Sequence, residues 1–189
     1  MLSGAHSAGI ILDWFVECLS APMKIYLAGP DVFQPDVMVW AESARAICRR
    51  HGFEPLLPID HGETLPDRIF QANLELIRKA QIVVANLDPF RGAEPDSGTA
   101  FELGYALALG KKICAYVTRL DTMVHRVDLA EGRSRRIAGL DNPPTDKQGR
   151  LIENFGLPCN LMLAVPTHIV EGGLEACLQS IRARPATSS

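Results

Sequence analysis

The sequence lacks several features that would assign it to a class at once. No apolar run reaches the roughly 18 to 20 residues that a membrane-spanning helix needs. The five cysteines are scattered and show no CxxC spacing, which favours buried thiols in a reducing compartment over disulfides or a zinc site. No cluster of Lys and Arg lies beside aromatic residues, and the formal net charge is -3, which argues against nucleic acid as a partner. These absences predict a cytoplasmic protein that binds neither membranes nor nucleic acid.

The composition that is present is ordinary for one globular domain. With 189 residues, of which 47% are hydrophobic and 22% charged, the chain is long enough to bury a proper core. Residues 1–22 contain an apolar patch that Asp13 and Glu17 interrupt, so this segment makes a poor signal peptide and is interpreted as an N-terminal extension. We therefore expect a single domain over residues 23–184 and a disordered tail over residues 185–189.

Short β-rich runs alternate with helical patterns from Met23 onward. The predicted strands are Lys24–Ala28, Glu54–Leu57, Ile82–Leu87 and Lys112–Val117. The predicted helices are Val37–Arg50, Pro66–Ala80, one that Asp96 or Ser97 caps and Gly110 ends, and a short one containing Leu174 and Ile181. This alternation implies a parallel sheet with helices on both faces, so we predict an α/β, flavodoxin-like, doubly wound fold with four to five strands. After Thr118 the pattern lapses, and residues 119–153 are expected to form a long polar loop.

The most informative segment is DPFRGAEPDSGTAFELGYALALGKK, residues 88–112. Asp96 is a good N-cap, and the helix that it opens carries one carboxylate, Glu102, among apolar residues. A helix that is apolar all round is expected to be buried, and a buried carboxylate is costly unless it has a use. The helix N-terminus favours the ionised form of that carboxylate. The pattern therefore predicts that Glu102 is an anionic nucleophile in a pocket.

Further polar residues follow the predicted strands. Ligands of open parallel sheets bind beyond the carboxyl ends of the strands, where Tyr26, Asn86 and Asp88 are placed by this pattern. Asp96 precedes Glu102 by six residues, roughly 9 Å along a helix. Two carboxylates around an apolar-walled cavity suit a reaction through an oxocarbenium ion. Two structural alternatives stay open, because Asp96 can serve only as a cap and Glu102 can form a buried ion pair.

These residues resemble a known enzyme family. The stretches KIYLAGP…VF, ANLDPFRG, PDSGTAFELGYALALGK and GLPCNLML look like those of the nucleoside 2-deoxyribosyltransferases, from Met23 to about Val165. The block D-x-G-T/S-x-x-E-[LI]-G is the specific part of this likeness. The resemblance implies transfer of 2-deoxyribose between nucleobases by double displacement through a covalent deoxyribosyl-enzyme, without a metal or cofactor. It also implies nucleoside and free nucleobase substrates and a place in nucleotide metabolism such as purine salvage.

The resemblance assigns roles to individual residues. Glu102 corresponds to the nucleophile, Tyr26 to the tyrosine that orients this carboxylate, and Asp96 to the acid that binds the sugar or base beside it. Asn160 corresponds to an asparagine that a neighbouring subunit contributes to the sugar 5′-hydroxyl, with Met162 close by. The resemblance therefore implies a homo-oligomer, a dimer or hexamer, with shared active sites.

Three further positions complete the predicted substrate site. Phe33, in the loop after the first strand, and Asp88, after the third, are expected to contact the substrate. Asn73 departs from the family pattern, since several members carry Asp there as a proton donor to the leaving base. Because an asparagine cannot donate a titrating proton, Asp96, Asp88 or a water molecule would take that role.

Two other functions agree with parts of the sequence. Related enzymes hydrolyse the N-glycosidic bond of nucleoside or deoxynucleoside 5′-monophosphates, but they tend to carry Ser six positions before the nucleophile. Asp96 at that position would repel a phosphate dianion. A non-catalytic nucleoside-binding module would use Glu102 only to recognise its ligand. The three functions differ in their outcome: a transferase exchanges bases, a hydrolase cleaves the N-glycosidic bond with water, and a binding module binds without turnover.

Overall fold

The computed structural model describes residues 21–133 and 143–183, and its centre is a parallel β-sheet. The strands are Met23–Ala28 (β1), Phe53–Leu56 (β2), Ile82–Asn86 (β3), Lys112–Val117 (β4) and His168–Glu171 (β5). Their order across the sheet is β2-β1-β3-β4-β5, and every neighbouring pair is parallel. This is the strand order of flavodoxin-like folds, so the predicted fold class is confirmed with five strands.

Helices connect the strands and cover both faces of the sheet. They are Val37–Arg50 (α1), Pro66–Lys79 (α2), Ser97–Ala108 (α3), Met123–Ala130 (α4), Leu161–Ala164 (α5) and Leu174–Ala183 (α6). A 3-10 turn at Pro30–Phe33 follows β1 directly. None of the described helices combines the length and the apolar character needed to cross a membrane.

The alternation of side chains along β1 decides which face of the sheet carries the site. Ile25 and Leu27 pack in the hydrophobic cluster on the side of α1 and α6. Tyr26 and Ala28 point the other way and belong to the cluster on the side of α2 and α3. Because successive strand residues alternate between faces, the Tyr26 ring is directed toward α3.

The region after Thr118 differs from the sequence-based expectation. Helix α4 begins after Thr122, whose hydroxyl accepts a hydrogen bond from the amide of His125 at 3.3 Å. The predicted loop over residues 119–153 is therefore wrong for the stretch that forms α4. The helical pattern was hidden because two charged residues, Arg126 and Asp128, lie on its buried side.

Strand β5 was not located from the sequence, and the burial of helix α3 differs from the expectation. Strand β5 has only four residues, of which three are half-buried and Glu171 is exposed, too few to show a two-residue period in the sequence. Helix α3 was expected to be buried all round, but only the side formed by Thr99, Leu103 and Ala106 is buried. Phe101 and Leu107 are exposed, because a helix on a sheet buries a single stripe.

The predicted termini lie mostly beyond the described residues. Of the N-terminal extension predicted over residues 1–22, only residues 21 and 22 are described, and the predicted tail over residues 185–189 lies outside the described ranges. The single-domain interpretation of residues 23–184 stays a prediction.

Candidate active site

A cavity of about 410 Å³ opens at the carboxyl edge of the sheet, beside the end of β1 and the start of α3. Its walls come from the turn after β1, the loop after β2, one side of α2 and the first two turns of α3. In the strand order, β2 lies on one side of β1, and β3 and the later strands lie on the other. Ligand sites of doubly wound folds form at this change of direction, between β1 and β3. The topology therefore makes this cavity the first candidate for a substrate site.

Glu102 lies in the wall of this cavity and is held by Tyr26. The Tyr26 hydroxyl donates a hydrogen bond to Oε1 of Glu102 at 2.6 Å. The Tyr26 ring is fully buried, and burial followed by the neighbouring carboxylate raises the pKa of its hydroxyl, so the hydroxyl stays protonated and keeps donating. The second carboxylate oxygen, Oε2, accepts no hydrogen bond from any described residue. One oxygen is thus oriented, and the other is available to a ligand in the cavity.

The electrostatic surroundings keep the Glu102 carboxyl close to half ionised at neutral pH. Burial raises its pKa to about 7; the negative charge of Asp96 acts in the same direction, and the Tyr26 hydrogen bond opposes both. No lysine or arginine in the described part of the chain pairs with Glu102, so the buried ion pair that the sequence left open is not formed there. A desolvated carboxylate without a cation is a stronger nucleophile than a solvated one.

Asp96 caps α3 and lines the same cavity. Its Oδ2 atom accepts hydrogen bonds from the amide and the hydroxyl of Thr99, at 2.9 and 3.1 Å. A Cβ atom at Gly98 would lie 3.0 Å from Oδ2, so a glycine at this position leaves the cap undisturbed. The capping role uses one oxygen only, and it does not exclude a second role toward a ligand.

Phe33 forms an aromatic group at the mouth of the cavity. Its ring stacks on that of Phe90 with centroids 5.4 Å apart, and the Arg91 guanidinium lies over both rings, 5.3 and 4.6 Å from their centroids. Phe33 remains 56% exposed. Part of its ring is therefore exposed where it lines the cavity.

Asn73 and a residue that the sequence analysis missed, His61, face each other across the cavity wall. Nε2 of His61 is 3.2 Å from Oδ1 of Asn73, and Nδ1 of His61 accepts a hydrogen bond from the amide of Glu63 at 3.0 Å. His61 follows β2 at the carboxyl edge of the sheet. The strand-end rule that selected Asp88 could have found it, had the polar segment after β2 been weighed in the same way.

The matching family model agrees with this site. A sequence model described as nucleoside 2-deoxyribosyltransferase matches residues 25–162, which include Tyr26, Asp96 and Glu102. The chain belongs to this family. The resemblance noted in the sequence is thereby confirmed.

Three individual proteins are similar to this chain to different degrees. A 2-deoxyribosyltransferase of Leishmania mexicana is 36% identical, with a TM-score of 0.71, and the match covers 86% of this chain and 99% of that one. A 2-deoxyribosyltransferase of Bacillus psychrosaccharolyticus is 20% identical, with a TM-score of 0.49 and coverage of 86% and 93%. An uncharacterised protein of Schizosaccharomyces pombe is 32% identical over 104 residues, 50% of this chain and 49% of the relative. The chain thus spans about half the length of this curated relative.

Asp88 lies apart from the cavity of this deoxyribosyltransferase-family protein. Its carboxylate accepts hydrogen bonds from the amide and the hydroxyl of Thr118, at 2.7 and 2.6 Å. It lines a different cavity of about 460 Å³, together with Arg119 and Arg126. The structure therefore does not bring Asp88 together with Glu102, whereas Asp96 lines the same cavity as Glu102.

Asn160 and Met162 also lie outside the cavity of their own chain. The Asn160 side chain caps α5 by accepting from the amide of Met162 at 3.0 Å, and it donates to Glu153 at 2.8 Å. Met162 is 74% exposed. Within one chain, neither residue faces Glu102, so a shared site would need a second copy.

The side chains in the described ranges form no metal centre. No group of three or more His, Cys, Asp or Glu residues there is arranged to hold an ion.

Proposed function

We propose that this protein transfers 2-deoxyribose between nucleobases by double displacement, with Glu102 as the nucleophile. The observation that carries the proposal is the contact between Tyr26 and Glu102. It leaves one oxygen of a desolvated carboxylate directed at a cavity, next to a second carboxylate, Asp96. This is the arrangement that retaining enzymes use on an anomeric carbon.

In the first half of the reaction, one oxygen of Glu102 forms a bond to C1′ of the deoxynucleoside. The bond between C1′ and the base nitrogen breaks, and its electron pair leaves with the base. In the second half, a nitrogen of the incoming base attacks C1′ and releases the Glu102 carboxylate, while that base loses its N–H proton to solvent. The two inversions retain the β configuration. Tyr26 holds the carboxylate in place throughout because its hydroxyl remains protonated.

The preference for a deoxy sugar follows from the same chemistry. A sugar without a 2′-hydroxyl forms the oxocarbenium ion more readily, because an electron-withdrawing group is missing. A 2′-hydroxyl would also crowd the Glu102 carboxylate on the α face of the ring. The intermediate survives until a second base arrives only where water is kept from the cavity, and we propose that a neighbouring subunit over the opening does this.

The lining of the cavity argues against a nucleoside 5′-monophosphate as the substrate. The described lining residues include Glu63, Asp96 and Glu102 but no lysine or arginine. A phosphate dianion inside the cavity would therefore meet negative charge. The Arg91 guanidinium lies over the rings of Phe33 and Phe90 and is not among the lining residues. An uncharged nucleoside avoids this repulsion.

We also propose that the protein acts in the cytoplasm as a homo-oligomer whose active sites are shared. Three described thiols, those of Cys48, Cys159 and Cys177, are not in disulfides, as expected for a reducing compartment. The exposed Phe101 ring contacts that of Phe70 at 5.8 Å, which gives α2 and α3 an apolar outer surface. Such surfaces are typical of interfaces between subunits.

Base exchange tests the proposed activity directly. Incubation of deoxyinosine with adenine is expected to give deoxyadenosine and hypoxanthine, and Glu102→Ala is expected to abolish the exchange. Mass spectrometry of the acid-quenched protein should detect a deoxyribosyl group on the peptide that contains Glu102. Release of free deoxyribose alone would indicate a hydrolase, and binding without turnover would indicate a binding module.

Mixing two inactive variants tests the shared site. Glu102→Ala and Asn160→Ala subunits that dissociate and reassociate should recover activity, because some sites then combine an intact Glu102 with an intact Asn160. Analytical ultracentrifugation measures the oligomeric state of each preparation. A monomer, or a mixture that stays inactive, would contradict the shared site without affecting the role of Glu102.

A further inference from the structure

The contact between His61 and the backbone amide of Glu63 determines the tautomer of the imidazole ring. The backbone amide of Glu63 can only donate, so Nδ1 of His61, which lies 3.0 Å from it, must accept and carries no proton. In a neutral imidazole the proton is then on Nε2. Nε2 lies 3.2 Å from Oδ1 of Asn73 and donates to it.

This hydrogen bond in turn fixes the side-chain amide of Asn73. Because Oδ1 of Asn73 accepts the hydrogen bond from His61, the amino group of Asn73 is directed away from His61. They donate to no side chain or backbone group in the described ranges. Asn73 lines the cavity together with Glu102, so these donors are available to a ligand there.

The loop that carries His61 is anchored to the body of the fold. Oδ2 of Asp60 accepts a hydrogen bond from the amide of Leu57 at 2.7 Å, and Arg45 of α1 pairs with the same carboxylate. A histidine on an anchored loop holds its partner more precisely than one on a free loop. His61 is therefore placed to orient Asn73 before a substrate enters.

We propose that His61 is a positioning residue that turns the amide of Asn73, so that the Asn73 amino group donates a hydrogen bond to the departing nucleobase. The inference rests on the proposed deoxyribosyl transfer. When the bond between C1′ and the base nitrogen breaks, its electron pair moves onto the base, and negative charge spreads to the ring nitrogens and carbonyl oxygens. A fixed N–H donor stabilises that charge without giving up a proton. The base takes its proton from solvent after departure.

Two substitutions of His61 separate its two hydrogen bonds. Gln can place an amide N–H where Nε2–H stands, so His61→Gln keeps the donor to Asn73. Asn is shorter and keeps an acceptor near the position of Nδ1, so His61→Asn loses that donor. The matched control is His51→Asn, because His51 lies after α1, away from the cavity. All variants are checked for their oligomeric state and thermal unfolding.

The measurement is kcat/KM for base release from deoxynucleosides whose bases differ in acidity. For the least acidic leaving base, His61→Asn is expected to lose about tenfold to a hundredfold. This is less than the roughly hundredfold to thousandfold loss for complete removal of a donor, because Asn73 keeps its amino group. The loss shrinks as the base becomes more acidic, because a better leaving group needs less stabilisation. His61→Gln and His51→Asn are expected to stay within about threefold of the wild type. A loss that is equal for all bases would overturn the proposal, since a merely structural defect has that result.

A double-mutant cycle tests whether His61 acts through Asn73. In an Asn73→Ala background, His61→Asn should have no further effect on kcat/KM, and an additive loss would overturn the proposal. NMR of the ¹⁵N-labelled imidazole reads the tautomer without any turnover, and a proton on Nδ1 would overturn the proposal even in an active enzyme. Failure of the unmodified protein to release any base would instead refute the proposed function, and the leaving-group role with it.

Discussion

The hydrogen bond between Tyr26 and Glu102 leads to a quantitative prediction for Tyr26→Phe. The substitution removes one hydroxyl and retains the buried ring, so the packing of β1 against α3 is preserved. The hydroxyl lowers the pKa of Glu102, because it donates to the ionised form. Its removal therefore raises this pKa further and leaves less of the nucleophile ionised at neutral pH.

The size of the shift follows from the energy of a hydrogen bond to a charged group. Such a bond contributes about 1.5 to 3 kcal/mol, and one pKa unit corresponds to about 1.4 kcal/mol. The pKa of Glu102, about 7 in the intact site, should rise by about one to two units in the variant. At neutral pH the ionised fraction, and with it kcat/KM, should fall about fivefold to fiftyfold.

The assay is the pH dependence of kcat/KM for exchange between deoxyinosine and adenine. This parameter reports the ionisation of the free enzyme. The acidic limb of the profile should move from about pH 7 in the wild type to about pH 8 to 9 in Tyr26→Phe, and the two rates should converge above it. Tyr105→Phe is the matched control, because Tyr105 stacks on Phe101 and does not line the cavity.

One result would refute this reasoning. If Tyr26→Phe is slower than the wild type but its acidic limb lies at the same pH, the hydroxyl does not control the ionisation of Glu102. A carboxyl ¹³C titration of Glu102 distinguishes this result from a change in the rate-limiting step, because it follows the ionisation itself.

Three further substitutions test other parts of the site. Burial raises the pKa of Glu102 from 4.5 to about 7. Between these two values the folded state binds more protons than the unfolded chain. The wild type therefore loses up to about 3 kcal/mol of unfolding free energy as the pH rises through about 7. Glu102→Gln should lack this loss in urea unfolding, and a wild-type slope would contradict the raised pKa. Asp96→Asn keeps an acceptor for the Thr99 amide but removes a negative charge that raises the pKa of Glu102. The acidic limb of the kcat/KM profile should therefore move to lower pH. A shift to higher pH would argue against this coupling. Gly29→Ala would place the new Cβ atom 2.9 Å from Cβ of Asn86. The substitution should therefore lower the unfolding free energy by about 1 to 3 kcal/mol. An unchanged Tm would mean that the turn adapts to the added methyl group.

Most of the fold could be predicted because its elements follow local patterns. Helix α1 and strand β4 have the predicted bounds, and the other early elements differ by one or two residues at their ends. The missed helix α4 shows where this reasoning fails. Its charged residues Arg126 and Asp128 are buried, and Arg126 donates to the carbonyl of Leu87 at 2.9 Å. A contact between residues 39 positions apart cannot be read from a period of three to four residues.

The sequence by itself determined the alternation of strands and helices, the cap at Asp96 and the unusual carboxylate at Glu102, because each depends on neighbours within a few residues. That Tyr26, 76 positions away, orients Glu102 was implied only by the family resemblance, and the tertiary structure supplied the hydrogen bond itself. Only the tertiary structure decided that His61 meets Asn73 in the same wall. Strand order and the alternation of faces set which side chains meet, and burial then sets the pKa of the carboxyl. These quantities depend on the packed surroundings, which no local pattern in the chain specifies.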